Sequence, residues 1–174
     1  MKHPVVLASM LLVAGILMGC DVGIEQPPGA ASAPSRSDER GAAGARVGRG
    51  HLQFVEGFAR GRALAARQSK PMLLFFTARW CTYCRQMSAE AFTHPQVVSL
   101  SGQFVCVLVD ADAEPDVCRH FRVTGYPTVQ FLSSRGAPLN RVVGKQPGHQ
   151  VMMAMQAALQ HVARRVEAVD PRLR

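Results

Sequence analysis

Two short apolar runs stand out in the second half of the chain. Residues 72–76 read Met-Leu-Leu-Phe-Phe, and residues 105–109 read Val-Cys-Val-Leu-Val. A strand with one face in water alternates apolar and polar residues, whereas a continuous apolar run of this length is typical of a strand buried on both faces. The pattern therefore predicts two central strands, at residues 71–77 and 104–109.

Apolar residues at helical spacing predict the helices. In the last long segment, Val151, Met155, Leu159 and Val162 follow one another at intervals of three or four residues, which places them along one helix face. The predicted helices cover residues 54–68 (with Phe54, Phe58, Leu64 and Ala65 on the apolar side), 81–92, 95–100, 114–121 and 148–168.

The remaining pattern is that of a hairpin. Residues 128–132 and 139–143 read as strands, and Ser133-Ser134-Arg135-Gly136 reads as the turn between them. The two central strands flank a predicted helix, so they form a right-handed parallel unit. We therefore predict an α/β fold in which a mixed central sheet has helices on both faces.

The first fifty residues have a different composition. Residues 5–18 are almost wholly apolar and are too short for a comfortable membrane span, as in an export signal. Leu17-Met18-Gly19-Cys20 resembles the lipobox of bacterial lipoproteins, which implies cleavage after residue 19 and lipidation of Cys20. A plain cleaved signal and an uncleaved anchor stay open as alternatives.

The segment after the signal predicts a tether. Residues 20–50 are rich in Pro, Gly, Ala and Ser, which cannot form a core. The predicted organisation is a signal peptide (1–19), a tether (20–50), one folded domain (51–168) and a tail (169–174). Asp21 resembles an inner-membrane retention signal, so we expect a lipid-anchored protein that faces the periplasm, in the inner rather than the outer membrane.

The formal charge is +8 at pH 7, with the arginines spread along the chain. No basic stripe is interleaved with aromatic residues that could stack on bases, so the sequence does not favour nucleic acid as a partner. The spread charge is typical of a solvated surface with some attraction to anionic headgroups.

The clearest chemical feature is Cys81-Thr82-Tyr83-Cys84, directly after Trp80. If a helix begins there, the two sulfurs share one face and the first lies at the helix N-terminus, where the macrodipole favours the thiolate that attacks disulfides. Half of a zinc or copper site and a purely structural disulfide stay open as alternatives. We predict that Cys106 is a buried core residue and that Cys118 is half exposed, with a disulfide between them as an open alternative.

The segment from Phe75 to Cys84, together with Gly125-Tyr126-Pro127-Thr128, resembles the thioredoxin family. The resemblance covers about residues 51–168, and residues 70–95 are most similar to the exported branch that includes the C-terminal domain of the membrane thiol reductant transporter. It implies a thioredoxin fold with a cis bond between Tyr126 and Pro127.

The resemblance also implies roles for the two motif cysteines. Cys81 is the attacking sulfur, exposed at the start of the helix, and Cys84 is the more buried resolving sulfur. Arg79 and Arg85 flank the dithiol and could stabilise a thiolate. Phe75 stands where thioredoxin has a buried Asp that assists deprotonation of the second cysteine.

Five further residues are implied to form the substrate-binding surface. Trp80 is an apolar wall beside the site, and Thr82 and Tyr83 tune the reduction potential. Tyr126 presents its backbone to the substrate chain as a short strand pairing, while Pro127 shapes the groove and blocks metal capture.

These features predict a membrane-tethered, extracytoplasmic thiol:disulfide oxidoreductase, with reduction as the preferred direction. Its substrates would be proteins with disulfides, its electron donor a membrane thiol protein, and it would need no dissociable cofactor. A disulfide oxidant or isomerase, and a non-catalytic metal carrier or binding module that uses the thiols, are the alternatives.

Overall fold

A six-stranded mixed sheet forms the centre of the protein. The computed structural model describes residues 46–169, and within them the strands follow the order β1-β2-β4-β3-β5-β6 across the sheet. The strands are β1 (Arg46–Arg49), β2 (Leu52–Glu56), β3 (Met72–Thr77), β4 (Val105–Asp110), β5 (Thr128–Leu132) and β6 (Pro138–Val143). The helices are α1 (Phe58–Gln68), α2 (Thr82–Glu90), a short 3-10 turn (Ala91–Thr93), α3 (Pro95–Ser101), α4 (Pro115–His120) and α5 (Gly148–Val169).

The two apolar runs form the central strands, as predicted. β3 and β4 run parallel with Leu74 opposite Val107, and every residue of β3 is buried. On its other side β3 pairs antiparallel with β5, which continues into the predicted hairpin with β6. The parallel pair and the hairpin together make the sheet mixed, which confirms the predicted fold class.

The N-terminal part of the domain differs from the prediction. Residues 54–56, predicted as the start of a helix, belong to β2, and α1 begins only at Phe58, after Gly57 at φ 88°. The apolar Leu52 and Phe54 are buried while Gln53 between them is exposed, which is the alternation of a strand. β1 adds a further correction, because Arg46–Arg49 lie within the segment predicted as tether and pair antiparallel with β2.

Helices cover both faces of the sheet, as predicted. One face packs against α2, α3 and α5 in a cluster that includes Phe75, Met87, Val97 and Met155. The other face packs against α1 and α4 in a second cluster that includes Ala65 and Phe76. A strand sends successive side chains to opposite faces, so a continuous apolar run can supply both cores at once.

Helix α1 is held at its start by a distant carboxylate. Both oxygens of Glu114 accept from the backbone N–H of Phe58, at 3.0 and 3.3 Å. These contacts satisfy an N–H that has no partner inside the helix, and the negative charge suits the helix N-terminus. The loop after β4 thereby fixes the position of α1.

The predicted signal peptide, Cys20, most of the predicted tether and residues 170–174 lie outside the described residues. Within residues 46–169 there is no helix that combines the length and the apolar character needed to span a bilayer.

Candidate redox site

The site lies at one edge of the sheet, where three neighbouring strands begin or end. β3 ends at Thr77 opposite Asp110, the last residue of β4, while Thr128 at the start of β5 pairs with Phe76. Parallel and antiparallel neighbours therefore bring the segment after β3, the loop after β4 and the residues before β5 to one edge of the sheet. Cys81, Asp112 and Pro127 lie on these segments.

Cys81 and Cys84 form a disulfide, with their Cα atoms 5.3 Å apart. Cys81 caps α2: its Sγ atom accepts from the backbone N–H of Cys84 at 3.1 Å. The prediction that the first sulfur lies at a helix N-terminus is confirmed. In the disulfide form Cys81 is only 4% exposed and Cys84 2%, so the prediction of an exposed Cys81 is wrong. Its position at the N-cap, packed into the core with Phe75, accounts for this burial.

The side chain of Arg85 stabilises the loop that leads into α2. The guanidinium of Arg85 donates to the carbonyl of Arg79 at 3.1 Å and to Oγ1 of Thr82 at 3.0 Å. Arg79 itself extends into solvent, with its Nε atom 3.8 Å from a carboxylate oxygen of Asp110. Of the two flanking arginines, Arg85 is thus the one that binds the residues on either side of Cys81.

The predicted apolar wall is present and projects from the surface. Trp80 is 66% exposed and Tyr83 63%. The Trp80 ring meets the Tyr126 ring edge to face, with centroids 5.8 Å apart. Asp112 also contacts Trp80. Its carboxylate accepts from the indole N–H of Trp80 and from the backbone N–H of Arg79, both at 3.3 Å.

The bond between Tyr126 and Pro127 is cis, as predicted. Pro127 is buried, and its carbonyl accepts from the N–H of Gly144 at 2.8 Å, next to the end of β6. Tyr126 is half-buried and packs against both cores. Burial, followed by a hydrogen bond with the Cys118 thiol, raises the pKa of the Tyr126 hydroxyl to about 12.

An aromatic cluster lies beneath the dithiol. Phe75 is fully buried, with its ring 4.9 Å from that of Phe92 and 6.0 Å from that of Phe54. The position that carries a buried acid in thioredoxin is therefore part of the apolar core here. Cys84 is buried in that same core.

The other two cysteines of the domain are free and lie on opposite faces of the sheet. Cys106 packs in the core with α2 and α5, and Cys118 in the core with α1 and α4. The alternative of a disulfide between them is therefore wrong, since the sheet separates them. The burial predicted for Cys106 is confirmed, but Cys118 is buried rather than half exposed. Burial raises the pKa of both thiols, that of Cys106 to about 12.

Sequence reasoning missed Asp112. It lies two residues beyond β4, and because β4 is a parallel neighbour of β3, its loop opens at the same edge as the dithiol. The position of Asp112 just after the strand next to β3 was the sequence signal that could have identified it. In residues 46–169, no three His, Cys, Asp or Glu side chains converge in a way that could hold a metal ion.

Comparisons with known proteins agree with this geometry. A thioredoxin-like family model matches residues 53–134. The thiol:disulfide interchange protein DsbD of Salmonella typhimurium is 35% identical over 89 residues, which are 48% of this chain and 16% of the relative. The chain thus spans only a small part of that relative's length.

Two solved structures show the same fold. DsbH oxidoreductase has a TM-score of 0.55 and 21% identity, covering 77% of this chain and 95% of that chain. The oxidised C-terminal domain of Neisseria meningitidis DsbD has a TM-score of 0.51 and 20% identity, covering 59% and 97%. The family-model match and the DsbD relative, together with the Cys81–Cys84 disulfide and the cis bond before Pro127, support a thioredoxin-family protein, as the resemblance predicted.

Proposed function

We propose that this protein is a thiol:disulfide oxidoreductase that exchanges disulfides through Cys81 and Cys84. The observation that carries the proposal is the disulfide at the first turn of α2, where Cys81 Sγ accepts the N–H of Cys84. Once the disulfide is reduced, that N–H and the helix macrodipole stabilise a negative charge on the Cys81 sulfur. The relative named thiol:disulfide interchange protein supports the same chemistry.

In the reducing direction, the Cys81 thiolate attacks one sulfur of a substrate disulfide and releases the other as a thiolate. The resulting mixed disulfide is broken when Cys84 loses its proton and attacks Cys81 Sγ. Two electrons pass to the substrate, which leaves as a dithiol after gaining two protons, and the Cys81–Cys84 disulfide remains. Because Cys84 lies in an apolar core with Phe75 in place of an acid, its proton leaves to water or to the departing thiolate.

The surroundings of the dithiol suit a protein substrate. Trp80 and Tyr83 offer exposed aromatic area, and Tyr126 lies beside Trp80 where its backbone can pair with an extended chain. Pro127 has no N–H to offer, so the substrate pairs with the residue before it. Oxidised proteins are therefore the proposed substrate class, and Thr82 and Tyr83 the residues that tune the potential.

The proposed location is the periplasmic face of the inner membrane, with a lipid on Cys20 and the first part of the predicted tether linking it to the domain. What supports this is the apolar segment before Leu17-Met18-Gly19-Cys20. A membrane thiol protein would then supply the electrons, since a lipid-anchored domain remains close to such a donor. A radiolabelled fatty acid should be incorporated into the wild type in cells and not into Cys20→Ser.

The exchange mechanism is tested by two variants of the full chain, assayed for reduction of a protein disulfide. Cys81→Ser should abolish turnover while leaving the fold intact. Cys84→Ser should also fail to turn over but should accumulate a covalent mixed disulfide through Cys81, visible by mass spectrometry. Full activity of Cys81→Ser would contradict the proposal.

The direction of electron flow is tested by equilibrating the protein in thiol redox buffers and counting free thiols. A reduction potential near about −270 mV would support a reductase, and a value near about −120 mV would support a disulfide donor. Metal analysis of the reduced protein addresses the carrier alternative, because stoichiometric zinc or copper would favour it over catalysis.

A further inference from the structure

A second site lies at the opposite end of the sheet from the dithiol. A cavity of about 360 Å³ opens where β3 and β4 begin, and Lys70 and Phe104, the residues that precede these strands, are on its wall. β3 is six residues long, which corresponds to about 20 Å, and Cys81 follows the end of β3 that lies away from the cavity. The cavity is therefore separate from the redox site, and its volume lies within the range of ligand pockets.

The lining of this cavity is rich in hydrogen-bond donors. Arg46, His51 and Lys70 contribute basic side chains, and the amides of Gln53 and Gln68 lie among them. No Asp or Glu is part of the lining. Within residues 46–169, neither Arg46 nor Lys70 has a carboxylate within ion-pair distance. The cavity therefore concentrates positive charge that the described part of the chain does not neutralise.

One of these donors is held in place. The Lys70 ammonium donates to the carbonyl of Gly102 at 2.8 Å, at the end of α3, and the side chain is half-buried. An ammonium has three N–H donors, so two remain for a ligand. Arg46 presents a planar fork of donors that matches the oxygens of a phosphate.

We propose that this cavity binds the phosphate group of an anionic ligand, through Arg46, His51 and Lys70. A phosphate accepts hydrogen bonds on several oxygens at once, and it fits a wall that offers a guanidinium, an ammonium, an imidazole and two amides. Two sources supply this group: a soluble phosphate ester, or the headgroup of an anionic phospholipid. The second source suits a domain whose cavity includes Arg46, a residue of the segment that the sequence predicts as a lipid-anchored tether.

The lysines of the chain provide a direct assay. There are three, Lys2, Lys70 and Lys145, and the last is at the dithiol end of the domain, 2.8 Å from Glu90. A water-soluble acylating reagent applied to the purified full chain in neutral detergent should modify Lys70 more slowly as glycerol phosphate is added. Protection should be saturable, and Lys145 should serve as an unprotected internal reference.

Variants then test the cavity itself, by titration calorimetry with glycerol phosphate. Arg46→Gln and Lys70→Gln should each weaken binding about tenfold, since each removes a charge-assisted hydrogen bond, whereas Lys70→Arg should retain most of the affinity. Arg62→Gln is the matched control, because Arg62 is exposed on α1 and is not part of the lining. Disulfide exchange by all four variants should equal that of the wild type, which keeps this test independent of the redox proposal.

The source of the phosphate is distinguished by reconstituting the full chain in phosphatidylcholine vesicles with or without phosphatidylglycerol. Protection of Lys70 only with phosphatidylglycerol identifies a lipid headgroup, and protection by glycerol phosphate alone identifies a soluble ester. Absence of saturable protection in both arms would overturn the proposal. So would an equal loss of affinity in Arg62→Gln, since that would indicate diffuse charge attraction.

Discussion

The indole N–H of Trp80 donates a 3.3 Å hydrogen bond to Asp112, whose carboxylate also accepts from the backbone N–H of Arg79. Two loops that are far apart in sequence are thereby joined beside the dithiol. On its other side the Trp80 ring packs edge to face on Tyr126, the residue before Pro127. The exposed Trp80 ring is thus held by two contacts, one with Asp112 and one with Tyr126.

Asp112→Ala should lower kcat/KM for a protein disulfide by about two- to tenfold, mainly through a higher KM, because the loss of these hydrogen bonds lets Trp80 leave its position. The fluorescence of Trp80, the only tryptophan in the chain, reports the movement directly. Asp116→Ala is the control, since Asp116 is an exposed carboxylate on α4 that pairs with Arg119. Equal kinetics for the wild type and Asp112→Ala would contradict a positioning role for this carboxylate.

Arg85→Gln should slow the alkylation of reduced Cys81 at neutral pH by about two- to fivefold. The Arg85 guanidinium holds Arg79 and Thr82 on either side of Cys81, and its exposed charge contributes a modest attraction to the thiolate. Arg85→Lys separates the two effects, because it keeps the charge and loses the fork of donors. Arg62→Gln on α1 should react like the wild type. A rate unchanged by Arg85→Gln would show that the helix N-terminus alone activates Cys81.

The buried Cys106 thiol should make the protein less stable at alkaline pH. Burial raises its pKa from 9.0 to about 12, so the folded state holds the proton more tightly than the unfolded chain. Its stabilising contribution is complete below about pH 9 and is lost as the pH rises towards 12. In Cys106→Ala, the fall of the free energy of unfolding across this range should be shallower, by up to about 1.4 kcal/mol per pH unit.

The measurement is denaturant unfolding of the disulfide form at several alkaline pH values, so that Cys81 and Cys84 do not titrate. Val107→Ala is the matched control, because it truncates a buried side chain on the same strand and removes no titratable group. It should lower stability by the same amount at every pH. Identical slopes for the wild type and Cys106→Ala would refute the assignment of this pH dependence to Cys106.

Gly61→Ala should destabilise the protein although alanine is the better helix former. A Cβ atom at Gly61 would lie 2.3 Å from Cγ2 of Val107, so the close packing of α1 on β4 depends on the absence of a side chain. Overpacking of this kind costs about 1–3 kcal/mol, which exceeds the roughly 0.5–1 kcal/mol gained in helix propensity. The free energy of unfolding measures the difference.

The double variant Gly61→Ala with Val107→Ala should recover part of the loss, because the truncated valine makes room for the new methyl group. The coupling between the two changes is then favourable in a double-mutant cycle. Additive losses would mean that the Gly61→Ala effect has another origin than contact with Val107.

Local patterns predicted the parts of this protein that depend on neighbours in the chain. The apolar runs at β3 and β4 predicted buried central strands, because such runs are stable only with both faces covered. The spacing of Cys81 and Cys84 predicted the sulfur at the start of α2, since a helical turn brings residues three apart together. The cis bond before Pro127 came from the family resemblance rather than from any local propensity.

The tertiary structure decided what depends on distant partners. β1 and β2 are short and lie in segments of ambiguous pattern, and their pairing with each other and with β4 makes them strands. Three features depend on residues that no local pattern relates. They are the burial of Cys81, the contact of Trp80 with Asp112, and the separation of Cys106 from Cys118 by the sheet. A sequence pattern reports the period of one element, whereas these relationships are set by how the elements pack against one another.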